Sequence, residues 1–143
     1  MPPTEIIAPL HFHTLLKGHT YLIADFYATW CPPCKTIAPV YEALANAHSS
    51  AGTVAFVKVN VDAQKEVAAQ YGIQAMPTFL VFREGSKVEE IKGADVRTLK
   101  RVVEGVVGEV GRSRKVEEGK KEGKVEVREE RIGDEKTVLD WKE

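Results

Sequence analysis

The chain of 143 residues carries 20 Lys and Arg against 21 Asp and Glu, and it contains two cysteines. This length is sufficient for one domain with its own hydrophobic core, without stabilising disulfides or a structural metal. The near-neutral charge balance and the lack of an uninterrupted basic run give no electrostatic support for a nucleic-acid or anionic-membrane partner.

The beginning of the chain does not have the pattern of a secretory signal. Residues Met1 to Pro9 include neither a basic region nor a long apolar region, and the apolar stretches further on are too short to span a bilayer. We therefore expect a cytoplasmic protein. In that reducing compartment, a closely spaced cysteine pair is typical of redox activity or metal binding rather than of a structural cross-link.

Helices and strands alternate in the first part of the chain. A short helix over Leu10–Leu16 precedes a strand over Tyr21–Tyr27, which is rich in residues that favour buried strands. From Cys34, apolar residues at helical spacing predict a helix of about fifteen residues, bent at Pro39. The β-branched run Val54–Val61 follows. Because such crossovers are right-handed, the two strands should be parallel and adjacent.

The next elements complete a mixed sheet. Gln64–Tyr71 predicts a shorter helix, and the strands Thr78–Phe82 and Lys87–Lys92 form an antiparallel hairpin with Gly85 in its turn. Asp95 is a good N-cap for a last helix that covers one face of the sheet. Its apolar stripe consists of Val96, Leu99, Val102, Val103, Val106, Val107 and Val110. The predicted fold class is α/β, with a mixed central sheet flanked by helices on both faces.

The composition changes after Gly111, because residues 112–143 include ten basic and ten acidic residues. Such a segment has too few apolar groups to offset the entropy of ordering it. We therefore divide the chain into a domain over 1–111 and a charged C-terminal extension over 112–143. This extension is either flexible or a short added hairpin of residues 124–128 and 137–141, which would place Trp141 on an apolar patch.

Cys31 and Cys34 form a Cys-x-x-Cys motif between the strand Tyr21–Tyr27 and the helix after it. The first sulfur then lies at a helix N-terminus, where unpaired N–H groups and the helix dipole favour a thiolate. The second lies one turn deeper, close enough to attack a mixed disulfide. This arrangement is typical of dithiol chemistry, with Cys31 as the nucleophile and Cys34 as the resolving thiol.

Two structural interpretations compete with dithiol chemistry. A zinc half-site would need two further ligands, but the histidines lack the short paired spacing of a typical site. The four histidines are His11, His13, His19 and His48. A structural disulfide would close so small a loop that it removes little entropy from the unfolded chain, and it would be easily reduced. We therefore predict no metal at this motif.

The motif belongs to a wider pattern that resembles the thioredoxin family over residues 1 to about 110. The residues that carry the resemblance are Asp25, Trp30-Cys31-Pro32-Pro33-Cys34-Lys35, Pro39, Lys58, Tyr71-Gly72-Ile73, Met76-Pro77-Thr78, Gly85 and Gly93. The resemblance implies a thioredoxin fold and an enzyme that reduces protein disulfides as an electron carrier. It also implies no tightly bound cofactor, because NADPH supplies electrons through a flavin-containing thioredoxin reductase. The expected partners are this reductase and disulfide-containing proteins, with the chain a monomer or weak dimer.

Asp25 and Lys58 join the two cysteines as catalytic residues in this resemblance. Burial in an apolar strand should raise the pKa of Asp25. The resemblance implies that Asp25 exchanges a proton with Cys34 through water, with Lys58 on the neighbouring strand as its charge partner. The alternative is a plain buried ion pair.

An apolar surface around the sulfur should bind extended substrates. By resemblance, Pro77 is cis and lets the backbone of Met76 pair with such a strand. The predicted substrate-binding residues are Trp30, Pro32, Pro33, Val61, Ala75, Met76, Pro77, Lys92 and Gly93. Tyr27, Phe26 and Phe12 are assigned to core or near-core packing.

Two residues depart from the commonest family pattern. Pro32 replaces the usual Gly and removes an N–H donor that could stabilise the Cys31 thiolate, which leaves the redox potential open. Lys92 replaces a frequent aliphatic residue and adds a cation that would favour acidic partners or a particular reductase surface.

Two other functions remain alternatives to the reductase. A disulfide oxidase or isomerase would need an oxidising compartment. A non-enzymatic, chaperone-like module would use the same apolar surface, with the charged extension as its interaction arm.

Overall fold

A computed structural model describes the backbone of residues 1–125 and the side chains of residues 1–112. The chain divides into two compact units, and the first, Met1–Val107, contains the whole described sheet. The elements are β1 (Thr4–Glu5), α1 (Pro9–Gly18), β2 (Tyr21–Tyr27), α2 (Pro32–His48), β3 (Val54–Asn60), α3 (Lys65–Gln70), β4 (Thr78–Arg83), β5 (Ser86–Lys92) and α4 (Val96–Val125). Within residues 1–125, no helix is both long and apolar enough to cross a membrane.

The five strands form one mixed sheet in the order β1-β3-β2-β4-β5. β1, β3 and β2 are parallel, whereas β4 and β5 are antiparallel to their neighbours. The predicted parallel pairing of the first two strong strands and the antiparallel hairpin are thereby confirmed. The register places Lys58 opposite Glu5 on one side and opposite Asp25 on the other. Three charged residues therefore lie in one row across the sheet.

One face of the sheet packs against α1 and α3. Side chains alternate along β2, so Leu22, Ala24 and Phe26 point into this core. They meet Phe12 of α1 and Val67 of α3. Because Asp25 lies between Ala24 and Phe26 in sequence, its side chain is directed to the opposite face.

The opposite face is organised around Tyr41 of α2, which is fully buried. Its ring packs on Phe56 and Phe79 with centroid distances of 5.8 and 5.6 Å. Its hydroxyl group lies 2.9 Å from the carbonyl oxygen of Ile23 and 2.7 Å from that of Val57. This hydroxyl therefore anchors α2 to two adjacent strands beside the row that contains Asp25.

The structure differs from the prediction at one strand and at the start of one helix. β1 was not predicted, because its two residues are too few to show an alternating pattern. α2 begins at Pro32 instead of Cys34, since prolines suit the first turn of a helix, where backbone N–H groups have no intrahelical partner. α2 then continues through Pro39 to His48.

α4 (Val96–Val125) is longer than predicted: it is helical up to the last described residue, whereas the predicted apolar stripe stopped at Val110. Residues 112–125 are rich in Arg, Lys and Glu, which have high helix propensity and allow the helix to continue where the apolar stripe stops. Lys124 and Val125 are helical, so the strand predicted over 124–128 is wrong at its start. The rest of the predicted hairpin lies outside the described residues, and the domain boundary at 111 stays a prediction.

Candidate active site

Cys31 and Cys34 are joined by a disulfide at the start of α2, with their Cα atoms 5.3 Å apart. Cys31 is the N-cap residue of the helix. Pro32 and Pro33 have no N–H group, so the first N–H of α2 belongs to Cys34, and it donates to Cys31 Sγ over 3.2 Å. One backbone donor therefore remains directed at the first sulfur, where it can stabilise a thiolate.

The loop before β4 lies against the disulfide. The Met76–Pro77 peptide bond is cis, and the carbonyl oxygen of Met76 lies 3.5 Å from Cys31 Sγ. The N–H of Gly93 donates to the carbonyl of Pro77 over 2.8 Å, and the Thr78 hydroxyl donates to the carbonyl of Ala75 over 2.6 Å. These contacts hold the backbone of Met76 beside the first sulfur.

Asp25 lies beneath the disulfide, and only 1 % of the residue is exposed. Burial raises its pKa from 3.8 to about 7, because the charged form loses its hydration; Lys58 lowers this pKa and Glu5 raises it. Its Oδ1 atom has no hydrogen-bond partner among the described residues. Asp25 can therefore change protonation state near neutral pH.

A cavity of about 210 Å³ joins Asp25 to the resolving cysteine. It is lined by Asp25, Tyr27, Ala28, Thr29, Cys34, Lys35, Ala38 and Lys58. This volume has room for several water molecules, and Asp25, Thr29 and Lys58 offer polar groups that can bind them. A proton can thus pass between the carboxyl group and the Cys34 sulfur.

Lys58 shares this cavity but makes a different contact from the one predicted. Its ammonium lies 4.5 Å from the centroid of the Tyr27 ring. Asp25 and Lys58 do not approach within ion-pair distance in the described part of the chain, so the interpretation as a plain buried ion pair is wrong. Lys58 acts on Asp25 through its electrostatic field.

The predicted substrate surface surrounds the disulfide. Val61 and Met76 are half-buried and pack against the cysteine pair. Trp30 is 63 % exposed, and its Nε1 donates to Asp62 Oδ2 over 2.8 Å. Four further residues predicted for this surface are exposed, namely Pro32, Pro33, Ala75 and Lys92. Gly93 is half-buried and Pro77 is buried, so the Pro77 side chain is not an exposed part of this surface.

The charge of Lys92 is partly neutralised. Its Nζ lies 3.7 Å from Glu90 Oε2, and Glu90 also accepts a 2.8 Å hydrogen bond from Lys87. Lys92 is 72 % exposed at its side chain, so solvent weakens this pair. The cation expected to favour acidic partners is therefore shared with a neighbouring carboxylate.

Three residues of the site were missed from the sequence. Glu5, on the unpredicted strand β1, accepts hydrogen bonds from the Tyr27 hydroxyl at 2.8 and 2.9 Å. Tyr27, assigned to near-core packing, lines the cavity, and Asp62 holds the Trp30 ring. Alternation along β2 places Tyr27 on the same face as Asp25 and could have identified it. Among the side chains of residues 1–112, no group of three His, Cys, Asp or Glu is placed to hold a metal ion.

Comparison with known proteins gives a consistent result. The thioredoxin family model matches residues 4–105. A thioredoxin-like protein of Fusarium culmorum is 57 % identical over 90 residues, which cover 59 % of this chain and 74 % of the relative. A thioredoxin of Neurospora crassa is 46 % identical over 98 residues, which cover 65 % of this chain and 77 % of the relative. The solved structure of Plasmodium falciparum thioredoxin is 37 % identical with a TM-score of 0.66, covering 71 % of this chain and 96 % of that one.

The site combines a sulfur at a helix N-terminus, a second sulfur three residues on and a buried acid connected to it by a cavity. These are the groups that thiol–disulfide exchange requires: a stabilised thiolate, a resolving thiol and a proton acceptor. The predicted fold and activity are confirmed by the match over residues 4–105 and by these relatives. The chain belongs to the thioredoxin family and is a thioredoxin-type disulfide oxidoreductase.

Proposed function

We propose that the chain reduces disulfide bonds of cytoplasmic proteins and is itself reduced by an NADPH-dependent, flavin-containing thioredoxin reductase, with no tightly bound cofactor. The family membership supports both partners. The two cysteines of the chain are those of the redox pair. A reductase donates electrons from its dithiol form, and the cytoplasm, as a reducing compartment, maintains that form.

The first step is attack by Cys31. Its thiolate attacks one sulfur of the substrate disulfide, the substrate S–S bond breaks, and the released substrate sulfur takes up a proton. The Cys34 N–H that points at Cys31 Sγ stabilises the thiolate before attack. The product of this step is a mixed disulfide between Cys31 and the substrate.

The second step releases the substrate. The Cys34 thiol gives its proton to the Asp25 carboxylate through water in the cavity, and the Cys34 thiolate then attacks Cys31 Sγ. The mixed disulfide breaks, the second substrate sulfur takes up a proton, and the Cys31–Cys34 disulfide remains. Two electrons have passed to the substrate, and the reductase returns two electrons from NADPH.

The loop before β4 positions the substrate for this attack. Met76 holds its carbonyl 3.5 Å from Cys31 Sγ, so a substrate in extended conformation can pair with this backbone while its disulfide meets Cys31. Trp30 and the neighbouring exposed residues provide apolar contact around the bond. This shallow surface selects for extended chains more than for a particular sequence.

The single observation that carries this mechanism is the cavity that joins Asp25 to Cys34. The test is reduction of a protein disulfide with NADPH and thioredoxin reductase, comparing the full chain with Cys31→Ser and Asp25→Asn. We expect no reduction with Cys31→Ser. With Asp25→Asn we expect a slower reaction that loses its pH dependence near pH 7.

Three results would contradict the proposal. Activity that survives in Cys31→Ser would exclude the dithiol mechanism, whereas an unsubstituted chain that reduces no disulfide would leave the binding-module alternative. An Asp25→Asn variant that matches the unsubstituted chain at neutral and alkaline pH would exclude the proton-transfer role of Asp25. The equilibrium potential of the cysteine pair then separates a reductase from an oxidase.

A further inference from the structure

Lys58 stands between two carboxylates. In the sheet register it lies opposite Asp25 of β2 on one side and opposite Glu5 of β1 on the other. Opposite charges that face each other across neighbouring strands attract, so the Lys58 ammonium could pair with either acid. It contacts neither within ion-pair distance among the described residues.

Tyr27 accounts for this arrangement, because its two ends contact the two competing groups. Its hydroxyl donates to the Glu5 carboxylate, with distances of 2.8 and 2.9 Å to the two oxygens. Its ring carries the Lys58 ammonium 4.5 Å from the centroid, a distance suited to cation–π attraction. Burial and, to a smaller extent, the hydrogen bond to Glu5 raise the pKa of Tyr27 to about 12, so the hydroxyl stays protonated and remains a donor.

We propose that Tyr27 is a positioning residue for the reaction: its hydroxyl holds Glu5 away from Lys58, and its ring holds Lys58 at the cavity shared by Asp25 and Cys34. Glu5 is part of the same arrangement, because its negative charge also raises the pKa of Asp25. The proposal rests on the proton-transfer role of Asp25 in the proposed function.

The positions of the other neighbours of Asp25 do not depend on Tyr27. Phe79, opposite Asp25 on β4, is apolar. From α2, Lys35 lines the cavity. Burial and the nearby Asp25 raise the pKa of Tyr41 well above its usual value, so the Tyr41 hydroxyl stays uncharged. Tyr41 is already bound to two backbone carbonyls. Lys58 and Glu5 are therefore the charges whose positions depend on Tyr27.

The experiment measures the protonation of Asp25 directly. The carboxyl carbon of Asp25 is titrated by NMR in the oxidised protein, where neither cysteine titrates. With Tyr27→Phe, Glu5 is released and draws Lys58 away, so we expect the midpoint to rise by about half a pH unit. With Glu5→Gln, a negative charge is lost and we expect the midpoint to fall.

The double variant Glu5→Gln, Tyr27→Phe shows whether the Tyr27 hydroxyl acts by positioning Glu5 or whether its loss alone shifts the Asp25 midpoint. In Glu5→Gln no carboxylate remains at position 5 to draw Lys58, so adding Tyr27→Phe should produce no further rise. A matched control is Tyr21→Phe, at the other end of β2, which should leave the midpoint unchanged. An unchanged midpoint in Tyr27→Phe, or equal shifts in both backgrounds, overturns the proposal.

This readout is independent of the enzymatic assay. If Asp25→Asn left the reductase activity unaltered, the proton-transfer role would fail while the titration would still report whether Tyr27 positions Lys58. If both roles are correct, the pH profile of disulfide reduction should shift in the same direction as the Asp25 midpoint in each variant.

Discussion

Trp30 donates a 2.8 Å hydrogen bond from its indole Nε1 to Asp62 Oδ2, although 63 % of the residue is exposed. An exposed aromatic ring is ordinarily free to rotate, and fixing it costs side-chain entropy. The hydrogen bond to Asp62, which directly follows Val61 beyond the end of β3, offsets part of this entropy loss. The ring is thereby held in place next to Cys31 before any substrate arrives.

Replacing Trp30 by Ala should weaken substrate binding rather than folding. Because the ring is mostly exposed, we expect the free energy of unfolding to change by no more than about 0.5 kcal/mol. We expect KM for a protein disulfide to rise several-fold. Steady-state kinetics and urea unfolding measure the two effects. Val88→Ala, an exposed apolar residue on β5, is the control; an equal rise of KM in both variants would argue against Trp30 as a contact residue.

Asp25→Asn should stabilise the folded chain at alkaline pH. Burial raises the pKa of Asp25 from 3.8 to about 7. Below about pH 4 the carboxyl is protonated in both folded and unfolded chains, so it causes no penalty. From pH 4 to 7 the unfolded chain ionises first, so stability falls as pH rises, by up to about 4 kcal/mol. The variant cannot ionise and should avoid this loss.

Urea unfolding of the oxidised protein at pH 4 and pH 9 tests this stability effect. The variant should be the more stable chain at pH 9. At pH 4 the two should be similar, or the variant slightly weaker, because its buried amide adds N–H groups without partners. If the two chains differed in free energy of unfolding by the same amount at pH 4 and pH 9, the ionisation of Asp25 would not be the cause of the difference.

Tyr41→Phe should reduce stability without altering the redox chemistry. The fully buried hydroxyl lies within hydrogen-bond distance of the carbonyls of Ile23 and Val57. Its removal deletes the buried hydrogen bonding of this hydroxyl, at a cost of about 1 kcal/mol. Thermal unfolding measures the loss, and Tyr21→Phe, which removes a hydroxyl from a buried tyrosine of β2, provides a comparison. A lower rate of disulfide reduction under conditions where the variant is still fully folded would contradict this purely structural role.

Glu84→Asn should stabilise the hairpin of β4 and β5. Glu84 and Gly85 have positive φ angles of 50° and 86°, a combination that two-residue hairpin turns favour with Asn-Gly. Glu is poorly suited to this conformation, so the gain should be a few tenths to about 1 kcal/mol. Denaturant unfolding gives the value, and Glu89→Asn, within β5, should show no comparable gain.

Cys34→Ser should stop the reaction after its first step. Without the resolving thiol, Cys31 still attacks the substrate, but the mixed disulfide cannot be released by an internal thiolate. Mass spectrometry of a reaction with a disulfide-containing protein should detect the covalent complex. The matched variant Cys31→Ser should yield none, and a complex in that variant would exchange the assigned roles.

The sequence predicts the central part of this fold well, because β2 and α2 have strong local patterns. Tyr21–Tyr27 was placed at its observed bounds, and the Cys-x-x-Cys motif marks the strand-to-helix turn. The hairpin of β4 and β5 followed from Gly85 in its turn. These features depend on residues close together in the chain.

Features that depend on distant residues were missed. β1 is two residues long and gains its structure by pairing with β3, so Glu5 had no local signal. The contact between Lys58 and the Tyr27 ring depends on side-chain geometry across two strands, which a sequence pattern does not fix. α4 extends beyond its predicted apolar stripe because the charged residues after Gly111, which were separated for their lack of apolar groups, have high helix propensity.

The strand β5 lies at one edge of the sheet and carries Lys87, Glu89, Glu90 and Lys92 among its seven residues. An unpaired edge invites another strand to add to it, and charged side chains there discourage such pairing. In the proposed function, extended substrate segments bind beside Met76, so an edge open to strand addition would compete with that site. The charges of β5 disfavour such competing binding.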